Sequence, residues 1–98
     1  MLIRIVKMNF KTEEIDNFLE LFSRYKNDIR KSTGCCGLEL YQDIDELNMF
    51  FTYSFWESQQ DLEHYRQSEI FKMVWPKTKA MFKDKAHAWS VNKIVSLP

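Results

Sequence analysis

The strongest constraint on the fold of this chain is the segment Met49–Trp56, whose sequence is MFFTYSFW. A short run rich in aromatic residues predicts a β-strand. Successive side chains of a strand point to opposite faces. The two faces here consist of Met49, Phe51, Tyr53 and Phe55 on one side and of Phe50, Thr52, Ser54 and Trp56 on the other. Both faces carry large apolar side chains that are unfavourable in contact with water, so we expect this strand to be covered on both sides.

The preceding part of the chain predicts a strand, a helix and a hairpin. Strands are expected at Leu2–Phe10 and at residues 38–42, and the polar residues 43–48 form a turn that leads into the aromatic strand. Apolar residues recur at helical spacing between the first two strands, namely Ile15, Phe18, Leu19, Phe22, Tyr25 and Ile29. We expect Thr12 to cap the start of this helix and Gly34 to end it.

The following part predicts a second helical region and a last strand at residues 86–95. Ser58, with Asp61 three residues later, is typical of a capped helix start, and Ser68 is expected to cap a further short helix. Pro76 lacks an amide hydrogen, so we expect it to break that helix or to begin a new turn. The order β-α-β-β-α-β indicates a ferredoxin-like α+β fold, with an antiparallel sheet and helices on one face, in one domain over residues 1–98.

The aromatic content predicts self-association. Of the 98 residues, 45% are hydrophobic and 15% are aromatic, which is more than one small domain buries easily. If helices cover one face of the sheet, the sheet of a second copy is the simplest cover for the other face. We therefore expect a homodimer with facing sheets.

Charge and motifs disfavour several functional classes. The 14 basic and 14 acidic side chains cancel, so there is no overall field to attract nucleic acid or an anionic membrane. The N-terminal segment is neither a signal peptide nor long enough to span a bilayer, and we expect a cytoplasmic protein. The adjacent Cys35 and Cys36 are expected to be reduced thiols, and no spacing of cysteine or histidine predicts a metal site.

Three segments resemble the antibiotic biosynthesis monooxygenase domain family: IRIVKMNFKTEEIDNFLELF, FFTYSFWESQQDLEHYRQSEIF and HAWSV. The strongest signal is Trp-Glu-Ser at the start of the second helix, followed by Tyr-Arg-x-Ser-x-x-Phe. The resemblance covers nearly the whole chain and implies a dimeric α+β barrel, with a pocket between the sheet and the helices of each subunit. Members of the family include cofactor-independent oxygenases of polycyclic phenols and quinols, haem-degrading enzymes, and proteins with no established activity.

The resemblance and the helical geometry together nominate site residues. Trp56 matches a tryptophan that lines the pocket in polyketide-oxidising members, and a packing role at the strand–helix junction is an equal expectation. Tyr65 follows the apolar Leu62 by three positions and is expected to point into the pocket, whereas His64 lies about 100° away around the helix. The nominated catalytic residues are Tyr65, Asn9 and His64, and the nominated substrate-binding residues are Trp56, Thr52, Phe71 and Trp75.

These features favour a monooxygenase without a bound cofactor. Gly34 and Gly37 are the only glycines, which leaves no glycine-rich loop for a nucleotide phosphate. An electron-rich phenolate can itself reduce dioxygen if the protein orients it and excludes water. We therefore predict a cofactor-independent monooxygenase that acts on a quinol or another small aromatic molecule.

Two alternatives stay open. One is a non-catalytic dimeric module that binds a small apolar ligand or serves a stress response. The other is a haem-binding or haem-degrading protein. It is disfavoured because the resemblance aligns Trp75 with the histidine that binds the haem iron, and an indole N–H offers no lone pair to iron.

Overall fold

A computed structural model describes residues 1–98 as four strands and three α-helices. The strands are β1 (Leu2–Phe10), β2 (Cys35–Gln42), β3 (Met49–Trp56) and β4 (Phe82–Asn92). The helices are α1 (Ile15–Arg30), α2 (Gln59–Arg66) and α3 (Glu69–Lys79), and a short 3-10 helix, Thr12–Glu14, precedes α1. The strands form one antiparallel sheet in the order β2-β3-β1-β4. The predicted ferredoxin-like α+β fold is therefore confirmed.

Pairing with β1 sets the limits of β4, which differ from the predicted residues 86–95. Phe82 pairs with Phe10 at one end of β1, and Asn92 pairs with Leu2 at the other. The strand begins earlier than predicted because its pairing with β1 continues to Phe82, past register shifts near Lys7 and Asn9. It ends earlier because β1 offers no partner beyond Leu2. The second strand also begins earlier than predicted, at Cys35, where a bulge before Gly37 joins it to β3.

The helix starts confirm two predicted caps and correct a third. Ser58 Oγ accepts a hydrogen bond from the Asp61 amide at 3.1 Å, and Ser68 Oγ accepts one from the Phe71 amide at 3.2 Å. Thr12 does not cap α1, because the chain first makes the 3-10 turn. Its hydroxyl oxygen instead accepts a hydrogen bond from the side-chain amide of Asn48 at 2.9 Å.

The prediction that Pro76 breaks the last helix is wrong, because α3 continues through it to Lys79. Pro76 and Lys72, the residue whose carbonyl loses its helical donor, both lie on the exposed side of α3. Water can satisfy that carbonyl there, which lowers the cost of proline inside a helix. The next turn is retained, since the Ala80 amide donates to the Pro76 carbonyl at 3.1 Å.

All three helices lie on one face of the sheet, called here the inner face. Two clusters of buried side chains join the helices to it. The first contains Met8, Phe10, Phe18 and Phe50, and the second contains Cys35, Trp56 and Leu62. The rings of Phe10 and Phe18 stack at a centroid distance of 4.1 Å, which fixes α1 against β1.

The opposite face of the sheet, called here the outer face, has no helix over it. Strand alternation and register give it Ile3, Ile5, Phe51, Tyr53, Phe55, His87, Trp89 and Val91. Trp89 is 47% exposed and Val91 is 38% exposed. Aromatic residues of β3 thus point to both faces, as its sequence predicts. None of the three helices is both long and apolar enough to cross a membrane.

Candidate functional site

The inner face of the sheet carries small side chains between the two buried clusters. Thr52, Val6 and Ala88 form one row across β3, β1 and β4, and Ser54, Arg4 and Ser90 form the next row. Larger residues flank these rows, with Phe50 and Met8 on one side and Trp56 on the other. Because α2 and α3 rest on the larger residues, the small ones leave a space beneath the helices.

That space is a cavity of about 260 Å³. The sheet contributes Arg4, Val6, Met8, Leu38, Thr52, Ser54, Ala86 and Ala88 to its wall, and α1 contributes Phe18, Phe22 and Ile29. The other two helices contribute Leu62, Tyr65, Arg66, Phe71, Val74, Trp75 and Thr78. A mostly apolar wall with a few polar groups is typical of a site for a small organic ligand.

The exposure of the lining residues shows where the cavity opens to solvent. Five lining residues are buried and close the cavity away from solvent, namely Met8, Phe18, Ile29, Leu62 and Thr78. Ala88 and Arg66 are exposed although they also line the cavity. The mouth therefore lies between β4 and the end of α2.

Tyr65 is fixed in the wall by its neighbours. Its ring stacks on Trp56 at a centroid distance of 5.1 Å and meets Phe71 edge-on at 5.2 Å. Its backbone carbonyl accepts a hydrogen bond from Ser68 Oγ at 2.6 Å. Burial, with a smaller contribution from the Cys35 thiol, raises the pKa of the Tyr65 hydroxyl to about 12, and no hydrogen bond to that hydroxyl offsets the rise. At neutral pH Tyr65 is therefore an uncharged hydroxyl, free to bond a ligand.

Arg4 is a cation in the wall without a carboxylate partner. Its Nη1 donates to Ser90 Oγ at 3.0 Å, and the ion pairs of the chain are Arg24–Glu20 and Arg66–Glu63. Burial and the charge of Arg66 lower the pKa of Arg4, and the charge of Glu63 opposes this effect. A guanidinium retains its proton despite such a shift, so the mouth of the cavity carries positive charge.

The nominated residues occupy three different places. Tyr65, Thr52, Phe71 and Trp75 all line the cavity. Trp56 lies behind Tyr65, fully buried, and donates from Nε1 to Ser54 Oγ at 2.8 Å. This is the packing role that the sequence left open for it.

Neither His64 nor Asn9 lines the cavity. His64 is exposed on α2. Asn9 is on the outer face, where its Nδ2 donates to Asp84 Oδ2 at 2.7 Å. His87, the other histidine, also lies on the outer face and stacks on Trp89. No imidazole therefore reaches the cavity.

Sequence reasoning missed Arg4, Ser54, Ala86 and Ala88, which belong to three different strands. Two of these strands do carry a signal, since small residues alternate with large ones in β3 and β4. That signal predicts a cavity only when the register between the strands is known.

Comparison with known proteins assigns the family. The family model for antibiotic biosynthesis monooxygenase matches residues 1–74. The chain belongs to this family. No curated protein matches it in sequence.

Solved structures of the antibiotic biosynthesis monooxygenase fold superpose on nearly the whole chain. A crystal structure described as an antibiotic biosynthesis monooxygenase is 21% identical, with a TM-score of 0.90 over 97% of this chain and 100% of that one. A conserved protein from Methanosarcina mazei Go1 is 21% identical, with a TM-score of 0.88 over 95% of this chain and 93% of that one. A variant of SnoaB, a cofactor-independent oxygenase from Streptomyces nogalater, is 12% identical, with a TM-score of 0.88 over 99% and 96%. At these identities the likeness concerns the fold.

Proposed function

We propose that this protein is a cofactor-independent monooxygenase of a small phenol or quinol. The observation that carries the proposal is the apolar cavity with the free, neutral hydroxyl of Tyr65 in its wall. Membership of a monooxygenase family supports it, as does the fold shared with a cofactor-independent oxygenase. The free thiols of Cys35 and Cys36 suit a reducing compartment, and we place the activity in the cytoplasm.

Substrate orientation is the first task of the cavity in this proposal. The aromatic rings of Phe71 and Trp75 hold the flat substrate, and Tyr65 donates a hydrogen bond to a substrate oxygen. Thr52 offers a second hydroxyl from the sheet side of the cavity. Hydrogen bonds to that oxygen stabilise the phenolate, the deprotonated form of the substrate. The phenolate is the form that transfers an electron to dioxygen.

The reaction then needs no external reductant. One oxygen atom of dioxygen bonds to a ring carbon and the other leaves as water. A phenol thereby becomes a quinone, and a quinol becomes a hydroxyquinone. The substrate supplies all the electrons for this exchange. The role of the protein is to hold the ring in place and keep water away, which a mostly apolar wall achieves.

The cavity volume limits the substrate to about one or two fused rings. Pockets for drug-sized ligands measure roughly 300–1,000 Å³, and this cavity, at about 260 Å³, is just below that range. We therefore propose small phenols and hydroquinones, rather than larger polycyclic compounds, as substrates.

Oxygen uptake with a panel of phenols, benzohydroquinones and naphthohydroquinones, each with and without a carboxylate substituent, tests the proposal. The native protein is expected to consume oxygen and form the quinone product with at least one of them. Ala88→Trp, which places an indole at the mouth, is expected to abolish this activity, because Ala88 is exposed and lines the entrance.

Ala80→Trp is the matched control, since Ala80 is exposed at the end of α3 and does not line the cavity. It should retain the native rate. Equal rates for the native protein and Ala88→Trp with every substrate would show that turnover does not occur in the cavity. If the native protein consumes no oxygen with any of them, the monooxygenase proposal fails. Ligand binding without turnover would then support the non-catalytic alternative.

We also propose that the protein is a homodimer, with the outer faces of two copies in contact. Only 9 of the 98 residues are buried in the isolated chain, and the outer face is an apolar surface without a helix over it. Three apolar residues of the segment after β4, Ile94, Val95 and Leu97, are more than 70% exposed as well. Such surfaces are typical of stable subunit interfaces.

A charge placed on the outer face is expected to dissociate this dimer. Trp89→Lys puts an ammonium group opposite Ile5 on that face, where a partner sheet would bury it. Light scattering should give twice the chain mass for the native protein and the single chain mass for the variant. Leu19→Lys, a similar change at an exposed position of α1, should stay dimeric. A native protein that is monomeric at micromolar concentration would contradict the proposal.

A further inference from the structure

The charged residues in the wall of the cavity all have the same sign. Arg4 and Arg66 both line the cavity, and none of the lining residues is an aspartate or glutamate. Arg4 faces it from the centre of the sheet, between Ser54 and Ser90. Arg66 faces it from the last turn of α2, and it is exposed at the mouth. Arg4 Nη1 reaches the exposed Ser90 on the edge strand β4, at 3.0 Å from its Oγ, so the two guanidinium groups flank the mouth from the sheet side and from the helix side.

Nearby acidic groups compensate these charges only in part. Arg66 Nη1 lies 3.1 Å from Glu63 Oε1, and both side chains are close to half exposed, so this pair is well hydrated. Arg4 has no such pair, and Ser90 Oγ is a neutral acceptor for one of its five N–H groups. The cluster of Arg4, Arg66 and Glu63 thus keeps one excess positive charge.

A partly buried cation that lacks a carboxylate is unfavourable unless something binds to it. Repulsion from Arg66 adds to this cost. The remaining donors of Arg4 are available to a ligand in the cavity. A planar guanidinium matches the two oxygens of a carboxylate, which it can bind through two parallel hydrogen bonds.

We propose that the ligand of this cavity is an aromatic carboxylate, bound with its carboxylate between Arg4 and Arg66 and its ring inward against Tyr65, Phe71 and Trp75. One negative charge matches the one excess positive charge at the mouth. The volume admits a body of one or two rings. This inference rests on the proposed function, because it assigns a ligand class to the same cavity. A substrate of this class that the protein could oxidise is a hydroxyaryl carboxylic acid.

Calorimetric titration with 2-naphthoate and with its neutral isostere, 2-naphthamide, tests the inference. The two probes share the ring and differ in the charge of the head group. The native protein is expected to bind the carboxylate about tenfold or more tightly than the amide, the factor typical of hydrogen bonds to a charged group. The preference should shrink as salt is added, because the mouth is open to solvent.

Arginine variants connect the preference to the two side chains. Arg4→Met and Arg66→Met are each expected to reduce the ratio of the two affinities severalfold, because the carboxylate loses charge-assisted hydrogen bonds and the amide loses only neutral-acceptor ones. Continued binding of 2-naphthamide demonstrates that the cavity is still folded. Arg24→Met is the matched control, because it removes the same charge from the exposed Arg24–Glu20 pair on α1. It should leave the ratio unchanged.

Each outcome decides the inference. Equal affinities for the two probes in the native protein, or a preference that survives in both cavity variants, would overturn it, as would no binding of either probe. Oxygen uptake is the separate readout of the proposed function. A carboxylate preference that depends on Arg4, in a protein that oxidises none of the phenols or quinols, keeps this ligand class and removes the catalytic proposal.

Discussion

Replacing Tyr65 by phenylalanine is expected to lower the rate of oxygen uptake about 10²-fold or more, with little change in the fold. The substitution removes one hydroxyl, and that hydroxyl makes no hydrogen bond that holds the structure together. The ring contacts with Trp56 and Phe71 remain. Loss of one donor to the developing oxyanion in a buried site typically costs a factor of about 10²–10³ in turnover. Oxygen-electrode rates with the best substrate of the panel give the comparison.

The pH dependence of the rate shows whether Tyr65 acts as a hydrogen-bond donor or as a base. The pKa of Tyr65 is raised to about 12, so the hydroxyl keeps its proton at every pH well below that value. The ratio of native to Tyr65→Phe rates should therefore be constant between about pH 6 and about pH 9. An inflection of this ratio within the range would mean that Tyr65 acts by losing its proton. Tyr25→Phe, on α1 and outside the cavity wall, is the control and should keep the native rate.

Tyr65 illustrates what a single segment of sequence can predict. Its direction follows from the spacing to Leu62, which is 3% exposed and belongs to the second buried cluster. Phe71 lies in the segment that resembles the family and Trp75 follows it on α3; both line the cavity. Each of these predictions concerns one helix and its apolar side, and helical geometry gives that side directly.

Asn9 shows where the same reasoning stops. Alternation along β1 correctly groups Asn9 with Ile3 and Ile5 on one face, opposite Val6 and Met8. Both faces of β1 are partly apolar, so the sequence does not tell which of them the helices cover. The structure puts the helices over Met8, which leaves Asn9 on the outer face, away from the cavity.

Arg4 and Ala88 show a second limit. They are 84 residues apart in the numbering, and both lie in the cavity wall because β4 pairs with β1 beside β3. Only the register of that pairing puts the small side chains in adjacent rows. The bulges in β4 shift the register near Lys7 and Asn9, and nothing within residues 82–92 alone reveals that shift. Cavities built by several strands therefore require the tertiary structure.

The second large effect is expected from Phe10→Ala, which should lower the free energy of unfolding by about 3–5 kcal/mol. Phe10 is 0% exposed and contacts the rings of Phe18, Phe50 and Phe82 at centroid distances of 4.1, 5.7 and 5.3 Å. Its removal leaves a void at the point where β1, β3, β4 and α1 meet. Domains of this kind are stable by about 5–15 kcal/mol, so the loss is a large part of the total. Urea unfolding at a fixed protein concentration measures it, since a dimer makes the apparent stability depend on concentration.

Phe71→Ala is the matched control, because it deletes the same side chain from the wall of the cavity. One side of that ring already borders open space, so fewer contacts are lost and the free energy of unfolding should fall by less than for Phe10→Ala. The variant should instead accept larger ligands, since the cavity expands into the vacated volume. Equal losses for the two variants would mean that the cavity is closed by packing in solution. The space beneath α2 and α3 would then be an ordinary core, and the proposals that place a ligand there would have no site.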